Sequence, residues 1–379
     1  MRKGVLFVAA VCIALPALSQ EKAGPGPRAL EAAQAGVEWL VQHQNPDGSW
    51  GSHHSARPIE VLASVPGSLE AFRVATTGLA VCALMEAGHE GETVDRGLAH
   101  LVRDGAVRRQ SGMEHYNVWS FGYALRALGE RLIARPEDPR AESYSAAAAS
   151  LVERLGRYQS LDGGWGYLSL WGYETYRPAA TSMSFTTATI LIGLERVQRA
   201  GVEVPEALIQ AALDSVERCR LPNGYFTYGP LWNDAPASDI NRRAGAACRT
   251  PACQLALRLH GRSVPEGEEG AALEALLVKE ARFQELGLRR PIPHESWYAI
   301  SGYFYLYGHS YAALTLDGLN SSRSEHLSSR LIDAVMLCQQ PDGSFWDYPL
   351  YSFHKLYGTA YAVIALSRAG RLSAGDPGD

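Results

Sequence analysis

Chemistry in this chain should come from a few segments that concentrate Tyr, Trp, His and Glu. Glu114-His115 and His294-Glu295 each set a carboxylate beside an imidazole, the pairing that general acid–base transfer uses. Glu174 adds a third carboxylate, and carboxylates facing across one glycosidic bond are what cleavage of a glycan needs. Tyr173, Tyr176, Trp297, Tyr305, Tyr307, Trp346 and Tyr357 offer rings that are apolar in body and polar at the tip. Such a wall suits a sugar ring, a peptide or an amphipathic lipid better than a bare hydrocarbon. Arg242 carries the planar fork that grips carboxylates and phosphates. Each residue also has a bland reading: chance adjacency for the Glu-His pairs, a solvated loop for Arg242, simple packing for the rings. No P-loop, Gly-x-Ser-x-Gly or His-Glu-x-x-His signature is present, since His294-Glu295-Ser-Trp-Tyr298 ends in Tyr298. His53, His54, His115 and His354 lack metal-ligand spacing, so neither a metal nor a cofactor is expected.

The elements that must position these residues repeat along the chain. Gln44-Asn-Pro-Asp-Gly48-Ser-Trp50, Gln159-Ser-Leu-Asp-Gly163-Gly-Trp165, Arg220-Leu-Pro-Asn-Gly224-Tyr-Phe226 and Gln340-Pro-Asp-Gly343-Ser-Phe345 share one pattern. It predicts a helix end, a tight turn using the permissive φ of Gly, and an aromatic that packs back. A second pattern recurs six times, in segments beginning at Gly78, Gly122, Ala188, Pro251, Ser310 and Ala360. These segments are apolar almost all round, as helices buried on both sides are. Thr77, Thr187, Thr250 and Thr359 stand before four of them, Phe121 before another, and His309 before the fifth. Read as an inner-helix start, that position turns His309 into the mouth of a central cavity and makes it the first choice for a functional residue. Between these segments run helices with one apolar stripe, such as Ala29–Gln44, Ala141–Tyr158, Glu206–Arg218, Ala271–Glu285 and Ser324–Leu337. Six outer/inner pairs predict an all-α, (α/α)6 toroid over residues 28–370, with an open solenoid as the alternative. Residues 371–379 are rich in Gly, Pro and Asp and are expected to be a disordered tail.

Composition bounds the setting. The 379 residues are 46% hydrophobic and 20% charged, with net charge −5, and no basic stripe points to nucleic acid. Residues 1–19 read as a signal peptide: Arg2 and Lys3, an apolar run from Val5 to Leu18, and small Ala17 and Ser19 before a cut at Gln20. Residues 20–27 follow as a linker, and the protein is expected to be exported to the periplasm or outside the cell. No later apolar run suggests a stable membrane span. Cys82, Cys219, Cys248, Cys253 and Cys338 are odd in number, show no CxxC spacing and read as buried thiols, with one disulfide left open.

The Gln-x3-Gly-x-Trp pattern and the inner-helix segments, such as Tyr305-Leu-Tyr-Gly-His-Ser-Tyr-Ala-Ala-Leu314, resemble the repeats of squalene cyclases and protein prenyltransferase β subunits. The resemblance covers nearly the whole chain after the first segment and implies a closed, terpenoid-cyclase-like toroid with a central cavity. It also implies that the Gln-Gly-Trp turns are structural. The family's catalytic groups do not carry over. The counterpart of the cyclase Asp-rich acid is Met183-Ser-Phe-Thr186, and the prenyltransferase zinc positions correspond to Tyr307, His309 and Gly358. Without a strong acid, alkene protonation is not credible. The expectation is therefore an exported toroid that binds a small molecule, glycan or protein at an aromatic rim. The alternative is an enzyme in the same cavity, an atypical terpenoid cyclase or prenyltransferase-like protein, or a glycan hydrolase or lyase using Glu/His acid–base residues.

Overall fold

The computed structural model describes residues 24–52, 66–108, 116–167, 181–278, 304–347 and 352–375. Outer helices α1 (Pro25–Gln42), α3 (Glu92–Asp104), α5 (Ala141–Tyr158), α7 (Glu206–Arg218), α10 (Glu266–Leu276) and α12 (Ser321–Met336) alternate with inner ones. The inner helices are α2 (Pro66–Glu86), α4 (Asn117–Ala134), α6 (Ser184–Arg199), α9 (Thr250–Leu259), α11 (Tyr305–Thr315) and α13 (Ser352–Ala374). A single turn, α8 (Arg243–Ala246), leads into α9. Among the described residues extended pairing is limited to two isolated bridges, Arg220 with Phe226 and Gln339 with Phe345.

The two layers follow from where the apolar residues fall. Outer α5 buries Tyr144, Ala148, Leu151, Val152, Leu155 and Tyr158, one stripe at helical spacing, and turns Glu153 and Arg157 to solvent. Inner α6 buries nearly every residue from Ser184 to Val197. Gly67–Glu86 is long and apolar enough to cross a membrane, yet it lies mostly buried in the ring, as a core helix does. Cys82, Cys219, Cys248, Cys253 and Cys338 are buried thiols that form no disulfide.

The inner helices pack in chain order, and α13 packs back on α2, so the ring closes and the open solenoid is excluded. Closure uses the two chain ends. α1 lies along α13, and a Cβ on Gly36 would stand 2.7 Å from Val363 Cγ2, so the close approach requires glycine there. Arg28 pairs with Asp333 at 2.5 Å, and Arg368 and Arg371 both pair with Glu86 on α2.

Several expected boundaries are corrected. α13 continues to Ala374 and stops at Gly375, φ +75°, so Arg371–Ala374 are helical rather than a disordered tail. α1 begins at Pro25, inside the expected linker, because proline suits the first turn of a helix. The fifth outer helix spans Glu266–Leu276, starting five residues before the expected Ala271, and residues 279–285 of the expected range lie outside the described residues. Its start, Val264-Pro265-Glu266, copies Val204-Pro205-Glu206 before α7, and Glu266, Glu268 and Glu269 complement the positive helix end. Residues 1–19, expected to be a signal peptide, lie outside the described residues.

The repeated turns tie the layers together. Gly48, Gly163, Gly224 and Gly343 have φ between 81° and 89°, the left-handed region that the pattern demanded. Gln44 donates to Gly48 O and, across to α3, to Thr93 O, and Gln159 does the same to Gly163 O and Leu208 O. The aromatic's backbone N–H then donates to a threonine of the inner helix: Trp50 to Thr77, Trp165 to Thr187 and Phe345 to Thr359, each at 2.9 Å. Thr77, Thr187 and Thr359 are therefore outer-facing anchors.

Candidate functional site

The N-terminal halves of the inner helices enclose a cavity of about 80 Å³. Phe72 and Leu79 of α2, Trp119 and Tyr123 of α4, Tyr307 of α11, and His354, Tyr357 and Tyr361 of α13 line it, with Tyr116, Tyr167 and Phe304 at its edge. The rings meet edge to face: Tyr116 on Tyr167 at 5.2 Å, Trp119 on Tyr307 at 6.3 Å, Tyr357 on Tyr361 at 5.7 Å. The floor is a polar seam. Tyr123 and Tyr361 share a hydroxyl–hydroxyl bond, and Tyr307 Oη donates to Phe185 O at 3.2 Å with Thr189 Oγ1 3.1 Å away.

Burial sets the charge state of this wall. It pushes the phenols of Tyr123, Tyr307 and Tyr361 well above their ordinary value, so they stay protonated. It pushes the His354 imidazole well below 6.5, so that ring is neutral at pH 7. No carboxylate lies among the described lining residues. The wall can stack on a ring and offer hydroxyl groups, but it presents no full charge.

His309 does not reach this cavity, which corrects the expectation. It is fully buried, its Nδ1 lies 2.8 Å from Tyr305 O, and its ring lies tilted against Tyr305 at 4.1 Å. Tyr305 Oη donates to Ala334 O of outer α12 at 3.0 Å, so this face of α11 looks outward. His309 thus repeats what Thr77 and Thr359 do, each bonding the carbonyl four residues back. Tyr305 is corrected with it, being fully buried between layers rather than on the rim. Arg242 is solvated, pairing with Asp239 at 3.0 Å and donating to Ala237 O. Trp346 is half-buried, with Lys355 Nζ 5.8 Å from its ring, and lines no part of the cavity. Tyr307 and Tyr357 do line it. Glu114, His115, Tyr173, Glu174, Tyr176, Glu295 and Trp297 lie outside the described residues.

Tyr123, Tyr311 and Tyr361 were passed over, although one signal could have found them. They occupy the same position of the inner repeat, with Leu79, Thr189 and Ala252 as its other members. A position held by Tyr in three of six inner helices must converge on the ring axis once the ring closes.

No protein-family model matches the chain, and no curated protein matches it in sequence. Solved structures do match in shape. A type II terpene cyclase, MstE from Scytonema, superposes with a TM-score of 0.53 at 16% identity, covering 92% of this chain and 99% of that one. A GH76A α-1,6-mannanase from Salegentibacter sp. HEL1_6 gives 0.59 at 10% identity, over 91% and 99% of the two chains. A possible GH105 member from Klebsiella pneumoniae gives 0.53 at 14% identity, over 97% and 99%. The chain therefore has the terpenoid-cyclase-like α/α toroid fold.

Proposed function

We propose that this is an exported binding protein whose aromatic cavity takes a small amphipathic lipid, such as a terpenoid alcohol. The observation that carries the reading is a wall of neutral rings with phenol hydroxyls at its floor and no charged side chain among its described residues. A lipid with one hydroxyl matches that wall. A glycan needs many more hydrogen-bond partners, and each one left unmade is costly. A volume of about 80 Å³ holds one ring or a short branched chain, not an oligosaccharide. The match in shape to a terpene cyclase fits this reading as fold support alone.

Tryptophan fluorescence tests it, because Trp119 stands in the wall. The short branched alcohol 3-methylbut-2-en-1-ol should quench saturably, and Tyr357→Ala at the half-buried edge should weaken binding about tenfold. No saturable response to 3-methylbut-2-en-1-ol, or a response to mannobiose in its place, would sink the lipid reading.

A second reading keeps the cavity and adds catalysis, either on a terpenoid or on a glycan. It is favoured because Glu114-His115 directly precede the cavity-lining Tyr116 in the chain. Glu174 and Glu295 are the other carboxylates it would draw on. If Glu114 acts as general acid or base, Glu114→Gln should lower turnover of the processed substrate by about 10²–10⁴. Affinity for 3-methylbut-2-en-1-ol should stay within about twofold, since a proton carrier contributes little to ground-state binding. Unchanged turnover in Glu114→Gln removes Glu114 from the mechanism.

A further inference from the structure

A second cavity, of about 320 Å³, opens at the opposite end of the ring, where the inner helices finish. Two rows of the inner repeat wall it. The deeper row is apolar in Ile192, Leu255 and Leu314 but carries Arg126 from α4. The row at the mouth is charged, with Glu86, Glu130, Arg196 and Arg368. Arginines at the carbonyl ends of helices are ordinary, because they complement the negative end of the dipole. That reason covers Arg196, in the last turn of α6, but not Arg126, which lies in the middle of α4 and is 3% exposed.

Arg126 is only half used. Its Nε donates to Glu130 at 2.7 Å, while the buried Nη1 has no acceptor among the described residues. A buried guanidinium N–H left unmet costs more than an ordinary hydrogen bond contributes. The acids nearby are already engaged: Glu86 by Arg368 and Arg371, Asp317 by Arg368 at 2.5 Å, and Glu90 by Arg131 at 2.8 Å. Arg196 lines the same space from α6, with its Nη1 3.2 Å from its neighbour Glu195. On the α4–α6 side the buried Arg126 Nη1 thus remains the donor that faces the cavity without an acceptor among the described residues. The helix carbonyl ends disfavour an anion at the mouth, so a ligand must reach down to Arg126 to gain anything.

We infer that this cavity binds a small oxyanion, a phosphate or carboxylate group, held by Arg126 at the floor and Arg196 nearer the mouth. The site is separate from the aromatic cavity, because the Tyr123–Tyr361 floor and buried Tyr311 lie one helical turn before the Arg126 row. Charge-assisted bonds from two guanidinium groups give both affinity and orientation.

Thermal melts of the full chain test this, in potassium phosphate or potassium succinate against potassium chloride at matched ionic strength. Wild type should gain a saturable rise in Tm with at least one oxyanion, and the better salt tells phosphate from carboxylate. Arg196→Gln, at a partly exposed position, should raise the apparent Kd at least about tenfold, the loss of one charge-assisted bond. Arg196→Lys should recover part of that loss, which separates recognition from a folding defect. The inference falls if neither oxyanion exceeds chloride, or if the rise is unchanged in Arg196→Gln. No ligand of the aromatic cavity enters the measurement, so its outcome is independent of the lipid reading.

Discussion

Trp50→Ala should lower the free energy of unfolding by about 4 kcal/mol, the range for removing a large ring from a packed interior. Trp50 is fully buried where three helices meet. Its indole N–H donates to Leu40 O at the end of α1, and its backbone N–H to Thr77 of α2. Its ring lies against Gly97 of α3, where a Cβ would stand 3.0 Å from Trp50 Cζ3 and 2.6 Å from Val81 Cγ2. Removing the ring leaves a cavity that these anchored helices cannot close, and Leu40 O loses its indole donor. Trp50→Phe keeps most of the volume and loses only the N–H, so about 1–2 kcal/mol is expected. Leu161 lies fully exposed in the equivalent turn of another unit, and Leu161→Ala should change stability by less than about 0.5 kcal/mol. Urea denaturation of the three variants reads these differences as midpoint shifts at constant slope. A loss below about 1 kcal/mol for Trp50→Ala would mean that the turn is not a structural anchor.

That anchor was legible in the sequence because its parts are dictated locally. A glycine at positive φ, an aromatic two residues on and a glutamine that returns to the turn carbonyl need no distant partner to be recognised. The layer assignment was legible for the same reason, since all-round apolar helices differ from striped ones residue by residue. Closure was not legible. It depends on Gly36 meeting Val363 and on Glu86 meeting Arg368 and Arg371, contacts between segments at opposite ends of the chain. The site was half legible, and the error has a geometric cause. The repeat pattern puts the helix starts at the Thr/His column, but α2 and α13 begin well before Thr77 and Thr359, at Pro66 and Ser352. Apart from Thr250, where α9 starts, the column therefore lies within helices, facing the outer layer. Residues two positions apart on a helix point to nearly opposite sides, so the column two residues on faces the axis. That column holds Tyr123, Tyr311 and Tyr361. His309 and the tyrosines thus lie on opposite faces of one layer of helices.

Placed there, His309 should make the fold sensitive to acid, and His309→Thr should remove that sensitivity. Burial holds its imidazole down to about 4, against an ordinary 6.5, with the Tyr305 carbonyl opposing the shift. The unfolded chain therefore takes up a proton as pH falls through 6.5, while the folded chain refuses it until about 4. Stability conferred by the neutral ring is complete above pH 6.5 and is lost as pH falls toward 4. The loss amounts to roughly 3 kcal/mol at its end and about 2 kcal/mol by pH 5. His354 and His100 are also held down by burial and steepen the acid response of both proteins, so the difference between wild type and variant isolates His309. Asp47 and Asp342 act at lower pH. In both, burial is outweighed by hydrogen bonds, from Ser49 and Arg73 in one and from Lys355 and Ser344 in the other, which hold the carboxyls far below their ordinary range. Threonine occupies this column in four other units and bonds the carbonyl four residues back at Thr77, Thr250 and Thr359, so it fits the backbone here. It is smaller than histidine, and His309→Thr should cost about 1–2 kcal/mol at pH 7 for the volume lost. The two stability curves should then cross near pH 5, with the variant the more stable below. Urea midpoints between pH 7.5 and 4 measure both curves, and parallel curves across that range would show that His309 is not held neutral in the folded chain.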